Sequence, residues 1–467
     1  MTGPSRRTVL GRLGSAFAVA ALAGCAEEDD PEPSPTRSSP PDDPTRTPNE
    51  TAEPDPRPDP GKPDPASHER LRWVADAGGR VAHAPTAVDG TVYVAGGAGE
   101  AAPDVGPGVR RLSALDEQKG TRRWTFDPEL PPASSPVVSR DAVFLVGYGD
   151  GDGSANSSAD SSPRSNANAS ASVNGDGAPR VFAVERRGGR GRWAESFPQA
   201  GPRLTLLGTT DETLFVGGTD DDESTDEEVY GVISAGGNVR WRWPLGDAVD
   251  GTVADGALYA GTSGGLYALR ERSGEALWAK QDTSEYFGVE PLVVDDLLVV
   301  RPGDLVAFDR ETGDERWRHA PGGGASVADR ALAGGRLLAV TDRGTLLSLA
   351  PSDGTVRWRR SAPANGGDVV ATERSAYVLG GGTLLAVDAE TGTERWSASI
   401  GPGRPELYAA GDVPIVVRRR SNSVVAFGAD GSERWRFEPN DSVGAVATTA
   451  NGAYVGTGVG YLYALDP

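Results

Sequence analysis

The side chains able to do chemistry are few and scattered. Three histidines, His68, His83 and His319, are the whole imidazole complement of the 467-residue chain, a thin set for general acid–base work. His68 falls at the end of an expected tether. His83 lies on an expected inner strand, read as an ordinary polar strand position, and His319 follows a recurring tryptophan and is expected at a rim. Asp150 and Asp152 in GYGDGDGS are spaced like calcium ligands, but the run dissolves into a Ser/Asn tract without a closing glutamate, so no metal loop is read there. The acidic run at 220–228 reads as a solvated face. In the basic run Arg418, Arg419 and Arg420, strand alternation points the first and third one way and the second the other, so they form no single anion patch. Glu285 and Glu290 flank one inner strand and come nearest to paired carboxylates at a common point.

The elements that would position these groups are set by tryptophan. Trp73, Trp124, Trp193, Trp241, Trp278, Trp317, Trp358, Trp396 and Trp435 recur along the chain, and from Trp193 onward they lie 48, 37, 39, 41, 38 and 39 residues apart. The unit is clearest in TLLAVDAETGTERW, ending at Trp396: an alternating run, a Gly-bearing connection, then a second extended run. That is a β-hairpin signal, because glycine takes the positive φ that closes the turn. LSALDEQKGTRRW, LYALRERSGEALW and LVAFDRETGDERW repeat it, and two more strands fit between hairpins. A period near forty with four short strands predicts an all-β, closed β-propeller of four-stranded antiparallel blades, nine by count.

The chain supplies its own closure. HERLRWVAD, from His68, is a tryptophan strand with no hairpin partner before it, and YLYALDP, at the end, is a hairpin start with no tryptophan after it. Their pairing, 71–74 beside 462–465, would shut the ring and remove free sheet edges. Two insertions, at 149–177 and 219–228, fall just before hairpins, where loops grow outward without disturbing a sheet. One tryptophan per blade is read as packing rather than ligand binding, since an aromatic buries about 150–250 Å2. Other inner-strand segments, at 81–87, 134–138 and 443–448, offer mainly Ala, Val, Ser, Thr and Pro, so carboxylates are not expected to converge at the ring's axis.

The first 67 residues read as address and tether. Arg6 and Arg7 in SRRTVL resemble a twin-arginine export signal, and the apolar segment after them is too short to span a bilayer. LAGC places Cys25, the single cysteine, where a lipoprotein is cleaved and lipidated. This predicts a signal peptide at 1–25, a disordered Pro/Asp-rich tether at 26–67 and a propeller at 68–467 with a disordered insertion at 149–177. The protein would then stand on the outer face of the cytoplasmic membrane. Asn49, Asn156, Asn168 and Asn440 fit N-glycosylation triplets, none of them diagnostic. Net charge is −21, with only three lysines, Lys62, Lys119 and Lys280. Acid excess with lysine depletion resembles proteins of halophilic archaea, where the Debye length near 1 M salt is about 3 Å and self-repulsion is screened. Nucleic acid is not an expected partner, because a polyanion would be repelled.

The pattern A-x-D-x-x-T-G-x-x-x-W, intact from Ala386 to Trp396 and nearly so from Ala307 to Trp317, resembles the pyrroloquinoline-quinone-type propeller repeat. The resemblance implies tryptophans docked between blades and, by family habit, eight blades rather than nine. It also implies three functional classes, between which fold alone does not choose. Quinoprotein dehydrogenases bind pyrroloquinoline quinone and calcium in the central channel, with an aspartate base and often a cysteine pair; one cysteine cannot supply that pair. Non-enzymatic lipoproteins of the repeat type act as scaffolds whose loops bind partners. Sensor-like domains are attached to catalytic or membrane-spanning segments, which this sequence lacks. The expectation is a membrane-anchored, non-catalytic scaffold for protein partners, with no cofactor, metal or catalytic residue; the alternative is a quinoprotein-like oxidoreductase holding quinone and calcium.

Overall fold

The repeat motif explains its own turn. In the computed structural model, which describes residues 68–97, 110–148, 179–197, 200, 203–219, 228–281, 290–301, 303–363 and 367–467, the strand Thr383–Asp388 turns back into Glu394–Ser399. Asp388 Oδ1 accepts the N–H groups of Glu390 at 3.0 Å and Thr391 at 2.9 Å, a local turn that competes with continuing the strand. The Asp388 carbonyl accepts the N–H of Gly392, whose φ of +71° would strain any other residue. Arg395 lies at a register shift between Ala386 and Val387, and its guanidinium returns to Asp388 Oδ2 at 2.8 Å. Such a bulge re-aims one side chain and lets the next, Trp396, face inward.

Repeated, this hairpin yields nine four-stranded antiparallel sheets. We number them as blades in ring order. Blade 1 opens with Thr86–Val88 and blade 2 with Val137–Val138; blades 3 to 8 open with Arg203–Thr209, Ala248–Ala254, Leu292–Val294, Val327–Ala333, Asp368–Ala371 and Glu406–Ala410. Blade 9 is built from Val443–Thr449, Gly452–Thr457, Tyr461–Leu465 and, from the other end of the chain, Leu71–Asp76. Leu71 pairs with Leu465 and Val74 with Tyr463, so the two ends close the ring as expected. The extensive strand contacts between blades involve a first strand with its neighbour's first or second strand, which places the first strands innermost. The count of nine stands against the eight that the resemblance suggested.

The core lies between blades, as layers of one sheet face against the next. Between blades 5 and 6, Val299, Ala307 and Trp317 pack on Val327, Leu337 and Leu347, all buried. The first strands of blades 1 and 2 are shorter than the expected 81–87 and 134–138, because Pro85 and Pro136 have no N–H to give a ladder. Both insertions leave from between the second and third strands of their blades, as expected: blade 2 resumes at Arg180 and blade 3 at Glu228. Among the described residues no helix is long and apolar enough to cross a membrane. Arg6, Arg7, Cys25, Asn49, Asp150, Asp152, Asn156, Asn168 and Glu285, together with the tether and the core of the insertion, lie outside the described residues.

Candidate functional site

The nine recurring tryptophans are structural joints between blades. Seven of them are only 5–9% exposed, and Trp193 and Trp358 are partly buried. The indole N–H reaches into the next blade: Trp124 donates to the Arg186 carbonyl at 2.8 Å, Trp278 to Arg310 at 2.8 Å and Trp317 to Pro351 at 2.7 Å. Beneath eight of the indoles lies the turn glycine of the following blade, where an added Cβ would come within 2.5–2.8 Å of the ring. Trp435 is the exception. The third and fourth strands of blade 9 come from opposite ends of the chain, so no turn links them; His68 packs edge-on to Trp435 at 6.2 Å instead, and among the described residues the Trp435 Nε1 has no partner. His68 Nε2 also donates to the Arg436 backbone carbonyl at 2.9 Å, so the residue belongs to the ring rather than to a tether.

The other sequence candidates disperse. His83 lies just before the first strand of blade 1, not on it, and burial with Arg80 nearby lowers its pKa to about 4, which keeps it neutral near pH 7. The residue as a whole retains some exposed surface, yet desolvation by neighbouring atoms is the larger cause of its lowered titration. His319 is half-buried at the end of the outer strand of blade 5, its pKa lowered by burial and Arg359. The arginine run does not alternate as expected, because the strand Val413–Arg418 ends there and Arg419–Ser421 form a 3-10 turn. Arg418 donates to the Ile400 carbonyl, while Arg419 grips Glu406 and the Val443 and Gly444 carbonyls. These arginines tie blade 8 to its surroundings rather than present an anion site. Asn440 is exposed.

The expectation that the inner strands offer mainly small uncharged residues is overturned for blades 4, 6, 7 and 8. Asp250 pairs with Gly261, Asp329 with Val340, Asp368 with Leu379 and Glu406 with Val417. Each partner is the fifth residue of its blade's second strand, so blades 4, 6, 7 and 8 carry a carboxylate at one level of the inner ring. Blade 5 adds Glu290 just before its first strand. The small residues expected throughout hold for blades 1, 2 and 9, and the strands in between differ.

Two arginines join this arc. Arg301 follows the second strand of blade 5, and Arg330 lies on the first strand of blade 6 and donates to the Glu290 backbone carbonyl across the junction. The Nε atoms of both arginines are buried and have no hydrogen-bond partner among the described residues. Asp329 is occupied, accepting the Val369 N–H of blade 7 at 2.9 Å and the Arg330 N–H at 2.8 Å. Burial, then the charge of Glu290, raises Asp250 to about 6, and burial also raises Glu290. Burial and the neighbouring Arg301 lower Arg330 to about 10. Asp250, Glu290 and Arg330 each keep some exposed surface, but desolvation by the surrounding atoms is what moves their titrations.

A quinone–calcium centre does not fit this donor set. Calcium takes about six to eight oxygen ligands, whereas here the carboxylates alternate with guanidiniums. Among the described residues no three His, Cys, Asp or Glu side chains are placed to hold a metal ion.

A further feature escaped the sequence reading. The chain has ten tryptophans, and the tenth, Trp243, is not a blade joint. It stands on the outer strand of blade 3, Val239–Pro244, and is 43% exposed; Val239 on the same strand is 46% exposed. Trp243 pairs with Val229, so it sits at the end of the blade where the acidic connection rejoins at Glu228. The doublet WRW at Trp241 was the available signal, since the repeat requires only one of the two.

A model of the family described as outer membrane protein assembly factor BamB matches residues 65–178, 177–329 and 301–420. No curated protein matches the chain. Among solved structures, BamB from Moraxella catarrhalis is 11% identical, with 85% of this chain and 99% of that one covered, at a TM-score of 0.48. The computationally designed Ika8 protein is 10% identical over 85% and 99%, at a TM-score of 0.50. The quinohemoprotein alcohol dehydrogenase from Comamonas testosteroni is 13% identical over 85% and 76%, at a TM-score of 0.47. At these identities the likeness is one of fold.

Proposed function

The chain belongs to the outer membrane protein assembly factor BamB family, and we propose that it is a non-catalytic binding scaffold for protein partners. In this reading the signal at Arg6 and Arg7 exports the chain, and lipid on Cys25 holds it at the outer face of the cytoplasmic membrane. The acid excess suits it to concentrated salt. The family's name supports assembly with other proteins as a mode of action; the process served is left to the partners.

The observation that carries the reading is Trp243. Tryptophan is costly to leave in water and is enriched at the energetic centres of interfaces. Nine of the ten are spent on joints between blades, and the tenth is presented at an edge with Val239 and Pro244. Among the described residues the outer strand of blade 3 also has one side free of strand partners, which suits an extended segment of another protein.

The test is to place a photo-crosslinking amino acid at position 243 of the lipid-anchored chain on intact cells. A discrete protein adduct at 243 is expected, with none at position 434, an exposed arginine on the outer strand of blade 8. Equal labelling at both positions counts against the reading.

A further inference from the structure

Asp250 and the pair Arg301 and Arg330 are each left incomplete in a way the fold does not resolve. Among the described residues Asp250 makes no hydrogen bond or ion pair, although it lies within electrostatic range of Glu290, Arg301 and Arg330. Both arginines bury an Nε–H that has no acceptor among the described residues. A buried donor without a partner costs about 1–3 kcal/mol, more for a charged group. Ordinarily such an acid and such bases would pair with each other; here they lie within electrostatic range with no ion pair between them among the described residues.

The composition restricts what completes them. A simple anion would satisfy the arginines but meet Asp250 and Glu290. A simple cation would satisfy Asp250 but meet two guanidiniums. A metal ion lacks a converging donor set among the described residues. The remaining solution is one molecule carrying both charges.

We propose that the inner ring at blades 4 to 6 binds a small zwitterion of the α-amino acid class, its carboxylate taken by Arg301 and Arg330 and its ammonium by Asp250. Glu290 supports the ammonium end, and its backbone carbonyl fixes Arg330 from the other side. Asp329 takes no part, being committed to the blade 7 backbone. The site is independent of the exposed edge of blade 3 and neither requires nor excludes a protein partner there.

The experiment is calorimetric titration of the folded chain with glycine, acetate and methylammonium separately in one buffer. Glycine should bind at least about tenfold more tightly than either single-charge probe, the discrimination expected when a charged hydrogen bond is missing. Asp250→Asn and Arg301→Gln should each weaken glycine at least about tenfold on the same grounds. The unmodified chain gives a check that no misfolded variant can cloud. Asp250 must be ionised to hold ammonium, and Glu290 titrates in the same direction while Arg330, lowered only to about 10, stays charged, so glycine affinity should rise from pH 5 to pH 7 around a midpoint of about 6. Acetate binding as tightly as glycine, or a glycine affinity flat across that interval, overturns the proposal.

Discussion

Gly354 of blade 6 lies directly beneath the indole of Trp317 in blade 5: a Cβ on the glycine would meet Trp317 Cε3 at 2.6 Å. The same glycine has a φ of +68°. One residue thus meets two demands, a turn that only glycine enters freely and a surface flat enough for the neighbouring blade's aromatic ring. This is why T-G and W belong to one motif although their contact is made between successive copies.

Emptying the joint should be expensive. Trp317→Ala is expected to destabilise the ring by about 3–5 kcal/mol, the range for removing a large buried aromatic. Gly354→Ala should cost about 1–2 kcal/mol from the left-handed backbone alone, and more once the indole is displaced. Denaturant titrations of both variants check this; a loss well under 1 kcal/mol in each would mean that the indole is not a joint.

The turn carboxylate gives an acid-side prediction. Hydrogen bonds from the Thr391 N–H and from Arg395 hold Asp388 at about 2, below its usual 3.8. Its contribution is therefore present above about pH 4 and is lost as pH falls towards 2. Asp388→Asn keeps the Oδ1 acceptor and loses the Arg395 pair, so at pH 7 it should cost under about 1 kcal/mol, as exposed pairs do. Asp388→Ala also loses the turn and should cost about 1 kcal/mol more. Equal costs for the two variants would remove the turn from the explanation.

His83 predicts the opposite kind of pH dependence from Asp250. Its pKa is about 4 in the fold against 6.5 in the unfolded chain, so as pH falls from 6.5 to 4 the unfolded state takes a proton that the fold refuses, and stability drops. Asp250, raised to about 6, pulls the other way over much of that interval. The difference between His83→Gln and the parent isolates the first effect: the variant should gain on the parent progressively between pH 7 and pH 4. A constant difference across that range would place His83 in water.

Much of this was legible because the repeat is local. Ala386 to Trp396 contains its own turn, bulge and ion pair, and the split hairpin at Trp73 and Tyr461 announced the closure. The inner charged arc was not, because Asp250, Glu290 and Arg330 are about forty residues apart in sequence and meet only when the ring closes. A signal existed: Asp250, Asp329, Asp368 and Glu406 each stand 28 or 29 residues ahead of their blade's tryptophan, a phase that marks one level of the ring. Trp243 was hidden by its neighbour, since Trp241 already filled the place that the period demanded.

Redox turnover offers a second discrimination. With pyrroloquinoline quinone and calcium added at high salt, oxidation of alcohols and sugars is expected to stay at background, because arginines interrupt the only arc of carboxylates described at the inner ring. Turnover that disappears in Glu290→Gln would show that the inner ring is catalytic.

The most direct measurement is quantitative capture of partners by the lipid-anchored chain and by Trp243→Ala from gently solubilised membranes, with folding checked by thermal unfolding. Losing a central interface tryptophan costs about 2 kcal/mol or more, roughly thirtyfold in affinity. The account predicts that specific proteins held by the parent chain fall to background with Trp243→Ala while the ring's unfolding temperature is unchanged. The same proteins retained at the same yield by the variant would contradict it.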